Sequence, residues 1–226
     1  MAHINLDTVD ADGAIREAAD AVAGDTRMSF LRKGAMGGAA ALSGGAILSA
    51  LVPGAAMAKG GPPSSFGNGD IGILNYALTL EYLEAAFYDE ATKNGIVKNK
   101  ALKQFLATTK KDEDTHVATL KKALGSKAAK KPRFDFGKAT TDVDTFAATA
   151  YVLENTGVHA YIGQAFNIKT PAYLGVALSI VTVEARHAGA IGLFLGKPIA
   201  PSGPFDTGLT AAQVLKAVKG TGFIKG

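Results

Sequence analysis

The chain has 226 residues, 47% of them apolar, enough for one cored domain plus extra segments, and this rules out wholesale disorder. It has no cysteine, which excludes disulfide staples, thiolate zinc sites, iron–sulfur clusters and a cysteine nucleophile, so any metal must rest on carboxylates and imidazoles. The formal charge of +4 is unevenly spread: residues 1–58 hold four basic and six acidic residues, leaving twenty basic and fourteen acidic residues, a net +6, in 59–226.

Residues 1–26 read as a polar extension. Residues 34–58 carry no charge and follow the basic stretch 27–33, and Ala56-Met57-Ala58 gives the small-x-small pattern that signal peptidase accepts. This predicts an export signal, with transient membrane contact, Lys59 as the first mature residue, and a periplasmic or extracellular destination. The stretch is long enough to cross a bilayer, but its Gly/Ala content and Pro53 argue against a permanent anchor. TRMSFLRK resembles a twin-arginine signal at Arg27, Phe30, Leu31 and Arg32 and departs from it at Met28. Residues 59–69, rich in Gly, Pro and Ser, form a linker.

The bundle is expected over 70–196. Asp70 is the expected N-cap of a first helix, with Leu74, Leu78, Glu81, Ala85 and Tyr88 on one face and a stop near Asn94-Gly95. Asn99 caps a second, whose stripe runs through Leu102, Phe105, Leu106, Thr109, Glu113, His116, Val117, Leu120 and Leu124. Its polar face holds Lys110, Lys111, Asp112 and Asp114. Residues 126–141 lack helical periodicity and suit a long crossover. Within it, Lys127, Lys130, Lys131 and Arg133 have no aromatic residues between them, so they read as a solvated loop and not a nucleic-acid surface. A third helix starts within 142–145 and presents Phe146, Ala147, Ala150, Glu154, Gly157, Val158 and Tyr161. Thr170 and Pro171 make an N-cap and N1 pair for the fourth, with Leu174, Ala177, Val181, Glu184, His187, Ala188 and Ile191 inward before Gly196. The tail, 197–226, holds a short helix capped by Thr210. Short links between helices one and two and between three and four, with a long middle link, give an all-α, up-down-down-up four-helix bundle.

Four acids, Glu81, Glu113, Glu154 and Glu184, interrupt apolar stripes, and an unpaired buried carboxylate costs several kcal/mol or takes up a proton. His116 and His187 each follow a Glu by three residues, on the same helix face, so each Glu-x-x-His unit aims an oxygen and a nitrogen at one point. Glu81 lies 14 residues before its helix stop, and Glu113 and Glu184 each lie 14 after their caps, which puts them at one level of the bundle, about 21 Å from matching ends. Tyr88 and Tyr161 each follow a lone Glu by seven residues, so the chain presents two similar helix pairs. Four carboxylates and two imidazoles balance two divalent ions and leave positions open for water, dioxygen or peroxide. Glu84, one turn from Glu81, is the alternative or additional ligand on the first helix. His159, about 140° around the helix from Glu154, reads as a surface or crossover contact.

On these motifs, residues 70–195 resemble the ferritin-like superfamily of bacterioferritins and rubrerythrins. NYALTLEYLEAAFYDEA is similar to the exported ferritin-like family that includes desiccation-related proteins. The resemblance implies Glu81 and Glu154 as terminal ligands, Glu113 and Glu184 as bridges, His116 and His187 as one imidazole per metal, and Tyr88 and Tyr161 as hydrogen-bond donors to carboxylates.

The expected function is a two-iron oxidoreductase-type site that reacts with O2 or H2O2, as a ferroxidase or in peroxide removal. The ligand set suits manganese as well, so a dimanganese catalase is the enzymatic alternative. A non-catalytic protein that sequesters metal or protects against desiccation and stress is the other. With no cysteine, a peroxidase cycle would need an external electron donor. Homo-oligomerisation is left open, but nothing identifies the many interfaces of a storage cage.

Overall fold

A computed structural model of the chain describes residues 60–225. The expected polar extension, the export signal and the cleavage point at Lys59 lie outside the described residues. The described chain is a mostly helical bundle of four long helices with a fifth, shorter one behind them.

Helix α1, Gly69–Asn94, ends at Gly95, whose φ of 62° is the left-handed conformation that favours glycine. Helix α2, Lys100–Leu124, is capped by Asn99, whose Oδ1 accepts from Leu102 N at 3.1 Å. Helix α3, Val143–Ala165, is capped by Asp142, which accepts from Thr145 N at 2.8 Å. Helix α4, Pro171–Phe194, has its proline at the first position, where a missing N–H costs nothing.

Asp70 does not cap its own helix. Asn68 takes the N-cap position of α1, and the Asp70 carboxylate accepts instead from the backbone N–H groups of Lys169 and Thr170, at 2.9 and 2.8 Å. Those amides stand just before α4, so the acid ties the start of α1 to the turn that leads into α4, 100 residues away in sequence. The Thr170 side chain accordingly makes no capping bond.

Hydrogen bonds along the crossover set the topology. Asn75, near the start of α1, donates to Lys127 O and accepts from Ala129 N, and Tyr82 donates to Ala129 O. At the other end of α1, Thr140 Oγ1 donates to Glu90 and Asn94 donates to Thr140 O. The crossover therefore runs the length of α1, which makes α3 parallel to α2, and Asp70 then fixes α4 parallel to α1.

The tail belongs to the core. Helix α5, Ala211–Thr221, opens with a capping box between Thr210 and Gln213 and buries Ala211, Val214 and Val218 against the aromatic cluster around Phe87, Phe136 and Phe146. Beyond it β2, Ile224–Lys225, pairs antiparallel with β1, Arg133–Phe134, inside the crossover. The sequence reading lacked this ladder, because two residues carry no alternation and the partner strands are 90 residues apart. A second consequence is that α1 is buried nearly all round: Tyr76, Leu80, Leu83, Phe87 and Ala91 face away from the predicted stripe and are covered as well.

The apolar interior forms two clusters. One holds Phe87, Tyr88, Phe146 and Val214; the other holds Leu74, Leu78, Tyr82, Leu120, Tyr161 and Ala177. Tyr88 from the first and Tyr161 from the second both bond to acids that lie between the clusters.

Candidate metal centre

Glu81, Glu113, Glu154 and Glu184 are 0% exposed, with His116 at 8% and His187 at 5%. They come from all four long helices. The three-residue spacing brings each histidine onto the face of its preceding acid: His116 Nδ1 lies 3.2 Å from Glu113 Oε2, and also 3.2 Å from Glu81 Oε2 and from Glu184 Oε1. His187 Nδ1 lies 3.2 Å from Glu113 Oε1 and from Glu154 Oε2.

These contacts sort into two groups, each with ligand atoms within 4.8 Å of one another: Glu81, Glu113, His116 and Glu184, and Glu113, Glu154, Glu184 and His187. Glu113 and Glu184 are common to both. Glu113 turns one oxygen to each imidazole.

The donor set fits metal ions. Glu113 Oε1, Glu154 Oε2, both oxygens of Glu184 and His187 Nδ1 are buried and make no well-aligned hydrogen bond; all but Glu184 Oε2 have only carboxylate–imidazole contacts at 3.2 Å across the centre, a concentration of under-satisfied polar atoms that a packed core does not tolerate unaided. Burial, then repulsion from Glu81, pushes the Glu113 carboxyl up to about 8 against the pull of both imidazoles. Burial followed by Glu113 and Glu81 drives Glu184 well above the usual carboxylate range. Burial alone would lower His187, yet Glu113 and Glu154 outweigh it and hold the imidazole up to about 11; Glu113, Glu184 and Glu81 likewise raise His116. The crowding of buried acids that raises these groups is the charge that divalent cations would offset.

Around this centre the tyrosines cross over. Tyr88 donates to Glu154 Oε1 and Tyr161 donates to Glu81 Oε1, so each hydroxyl serves the acid of the other helix pair. Each leaves the second oxygen of its acid facing an imidazole.

Glu84 is buried at 3% exposure but lies outside both groups. Burial, then the charges of Glu184 and Glu113, keeps its carboxyl well above the usual range. It sits where Gly157 leaves room: a Cβ on Gly157 would lie 3.1 Å from Glu184 Oε2 and 3.5 Å from Glu84 Oε1. His159 turns away from the centre, its Nδ1 2.6 Å from Thr207 O in the tail.

Two contributors were hidden in the sequence. Asp112, which periodicity places on the polar face of α2, has Oδ2 3.2 Å from His187 Nε2. Its only signal is its place just before Glu113, about 100° around the helix and so at the edge of the inward face. Thr109, one turn before Glu113, is 0% exposed and its hydroxyl has no partner. It reads as core from the stripe alone.

A family model described as a ferritin-like domain matches residues 69–197, more than half of the chain and all four long helices. The chain belongs to the ferritin-like domain family. No curated protein matches it.

Proposed function

We propose that the six residues hold two iron ions as a carboxylate-bridged pair, with Glu113 and Glu184 as bridges, Glu81 and Glu154 as terminal ligands, and His116 and His187 as one imidazole each. The protein then uses O2 or H2O2 to oxidise ferrous iron, or removes peroxide, outside the cytoplasm. One observation carries the reading: both candidate ligand groups share Glu113 and Glu184, and the two Glu113 oxygens face different histidines. The export part rests on the 34–58 segment and its Ala56-Met57-Ala58 site.

When bound, two ferrous ions supply two electrons, which with two protons convert one peroxide to two waters. The chain's part is positioning. Tyr88 and Tyr161 hold Glu154 and Glu81 by one oxygen so that the other points inward. Thr109 offers an unpaired hydroxyl one turn from Glu113, a donor suited to a small oxygen ligand. Apolar clusters on either side shield the four acids, each 0% exposed, from bulk water. Without cysteine, repeated peroxide turnover draws its electrons from an external donor.

The test is metal analysis of protein purified from its native compartment, then ferrous-oxidation and peroxide-decay assays on the same sample. Two irons per chain with peroxide loss coupled to ferrous oxidation supports the proposal. Two manganese ions with O2 release supports the catalase alternative, and bound metal without turnover supports sequestration or stress protection. Absence of metal, with none taken up by the metal-free protein, overturns the proposal.

A further inference from the structure

The two Glu-x-x-His units are related by pseudosymmetry, so each residue around one histidine has a counterpart around the other. Asp112 stands one position before Glu113 on α2, and Val183 stands one position before Glu184 on α4. The pairing is crossed: Asp112 reaches His187 on α4, whose Nε2–H donates to Oδ2 at 3.2 Å. Around His116 the counterpart is an apolar side chain that can accept nothing. Among the described residues, Nε2 of His116 has no hydrogen-bond partner, while its Nδ1 faces three acids.

The surroundings differ in the same direction. His116 and Val183 line a groove of about 580 Å³ between α2 and α4, with Thr119, Gly175, Val176 and Ser179 along its walls. Gly175 and Ser179 are exposed, so the groove joins the His116 ring to the surface. His187 instead packs perpendicular to the Phe105 ring, with ring centroids 6.5 Å apart, and against Asp112. A carboxylate on the far nitrogen fixes ring orientation and tautomer and makes the near nitrogen a stronger donor; partners of this kind alter metal affinity by about 10–100-fold.

From this we infer that the two halves of the centre are unequal by construction: the His187 half, held by Asp112, binds first and keeps its ion, whereas the His116 half fills second and exchanges through the α2–α4 groove. This rests on the two-metal reading above.

The experiment is an anaerobic titration of the metal-free full chain with cobalt(II), followed by calorimetry and visible absorption, and then by timed removal with a chelator. Two ions bind in distinct steps, the first at least about tenfold tighter, and one ion is extracted fast and the other slowly. D112A weakens the first step by about 10–100-fold and leaves the second unchanged, and D112N, which keeps an oxygen acceptor, recovers part of the loss. V183D, which supplies the missing carboxylate, tightens the second step and slows extraction of the fast ion. Two ions bound with equal affinity, or D112A weakening both steps alike, overturns the inference while the two-metal reading stands. Fewer than two ions bound by the wild type overturns both. The melting temperature of metal-free D112A, measured beside the titration, separates any loss of fold from the binding change, and D112N, which keeps an oxygen acceptor for His187 Nε2, supplies the second check.

Discussion

The Tyr88 hydroxyl, on α1, donates to Glu154 Oε1 on α3, 66 residues away, and not to the acid on its own helix. Tyr161 repays the arrangement on α1 at Glu81. The two helix pairs are stitched together through the centre by bonds between an aromatic cluster and a carboxylate. Replacing either tyrosine by Phe leaves a buried carboxylate oxygen without its donor. Y88F and Y161F are each expected to lower stability by about 1–3 kcal/mol in chemical denaturation, with closely similar losses because the two sites are pseudosymmetric.

The metal-free protein should lose stability as pH rises. Glu113 titrates near 8 in the fold against an ordinary value of 4.5, and His187 near 11 against 6.5, so between those limits the folded state holds protons that the unfolded chain has released. Where the folded state binds more protons, stability falls with rising pH, by up to about 1.4 kcal/mol per pH unit for each such proton. The melting temperature of metal-free protein is therefore expected to fall between pH 6 and 9. Metal binding displaces the same protons, so affinity for a divalent ion rises over that range in calorimetry.

Removing one acid should relieve the metal-free fold and disable the centre. Glu184 is fully buried, Glu113 and Glu81 both repel it, and of the two imidazoles only His116, 3.2 Å from Oε1, offsets them. E184Q is expected to raise the melting temperature of metal-free protein and to abolish binding of two ions, measured by thermal denaturation and metal analysis side by side.

Thr109 gives a cleaner separation of stability from chemistry. Its buried hydroxyl is unpaired, and burying such a group costs about 1–3 kcal/mol. T109V, similar in shape, is expected to stabilise the metal-free protein by roughly 1 kcal/mol and to slow ferrous oxidation in stopped-flow assays without changing how many ions bind.

What was legible in the sequence follows the range over which each signal acts. Asn99, Asp142 and Gly95 are local punctuation, and each marks the helix end that its residue type demands. The acids and histidines could be grouped in advance because spacing of three places them on one face and equal distances from helix ends place them at one level. Signals settled by the far side of the fold were hidden. Asp70 looks like the cap of its own helix until α4 arrives beside it. Asp112 looks like a solvated charge until His187 is set against it. The tail lies beyond the four predicted helices, yet Val214 and Val218 are buried against Phe87 and Phe136 because α1 has a second apolar side. Gly163 is part of the same contact: a Cβ there would come within 1.9 Å of Leu209 O, so G163A displaces the tail despite the better helix propensity of alanine.

The sharing of Glu113 and Glu184 between two ions is tested most directly by anomalous diffraction from crystals loaded with ferrous iron under anaerobic conditions. Two anomalous peaks per chain are expected, both bounded by Glu113 and Glu184, one beside His116 and Glu81 and the other beside His187 and Glu154. A single peak, or iron bound only outside these six residues, would contradict the account.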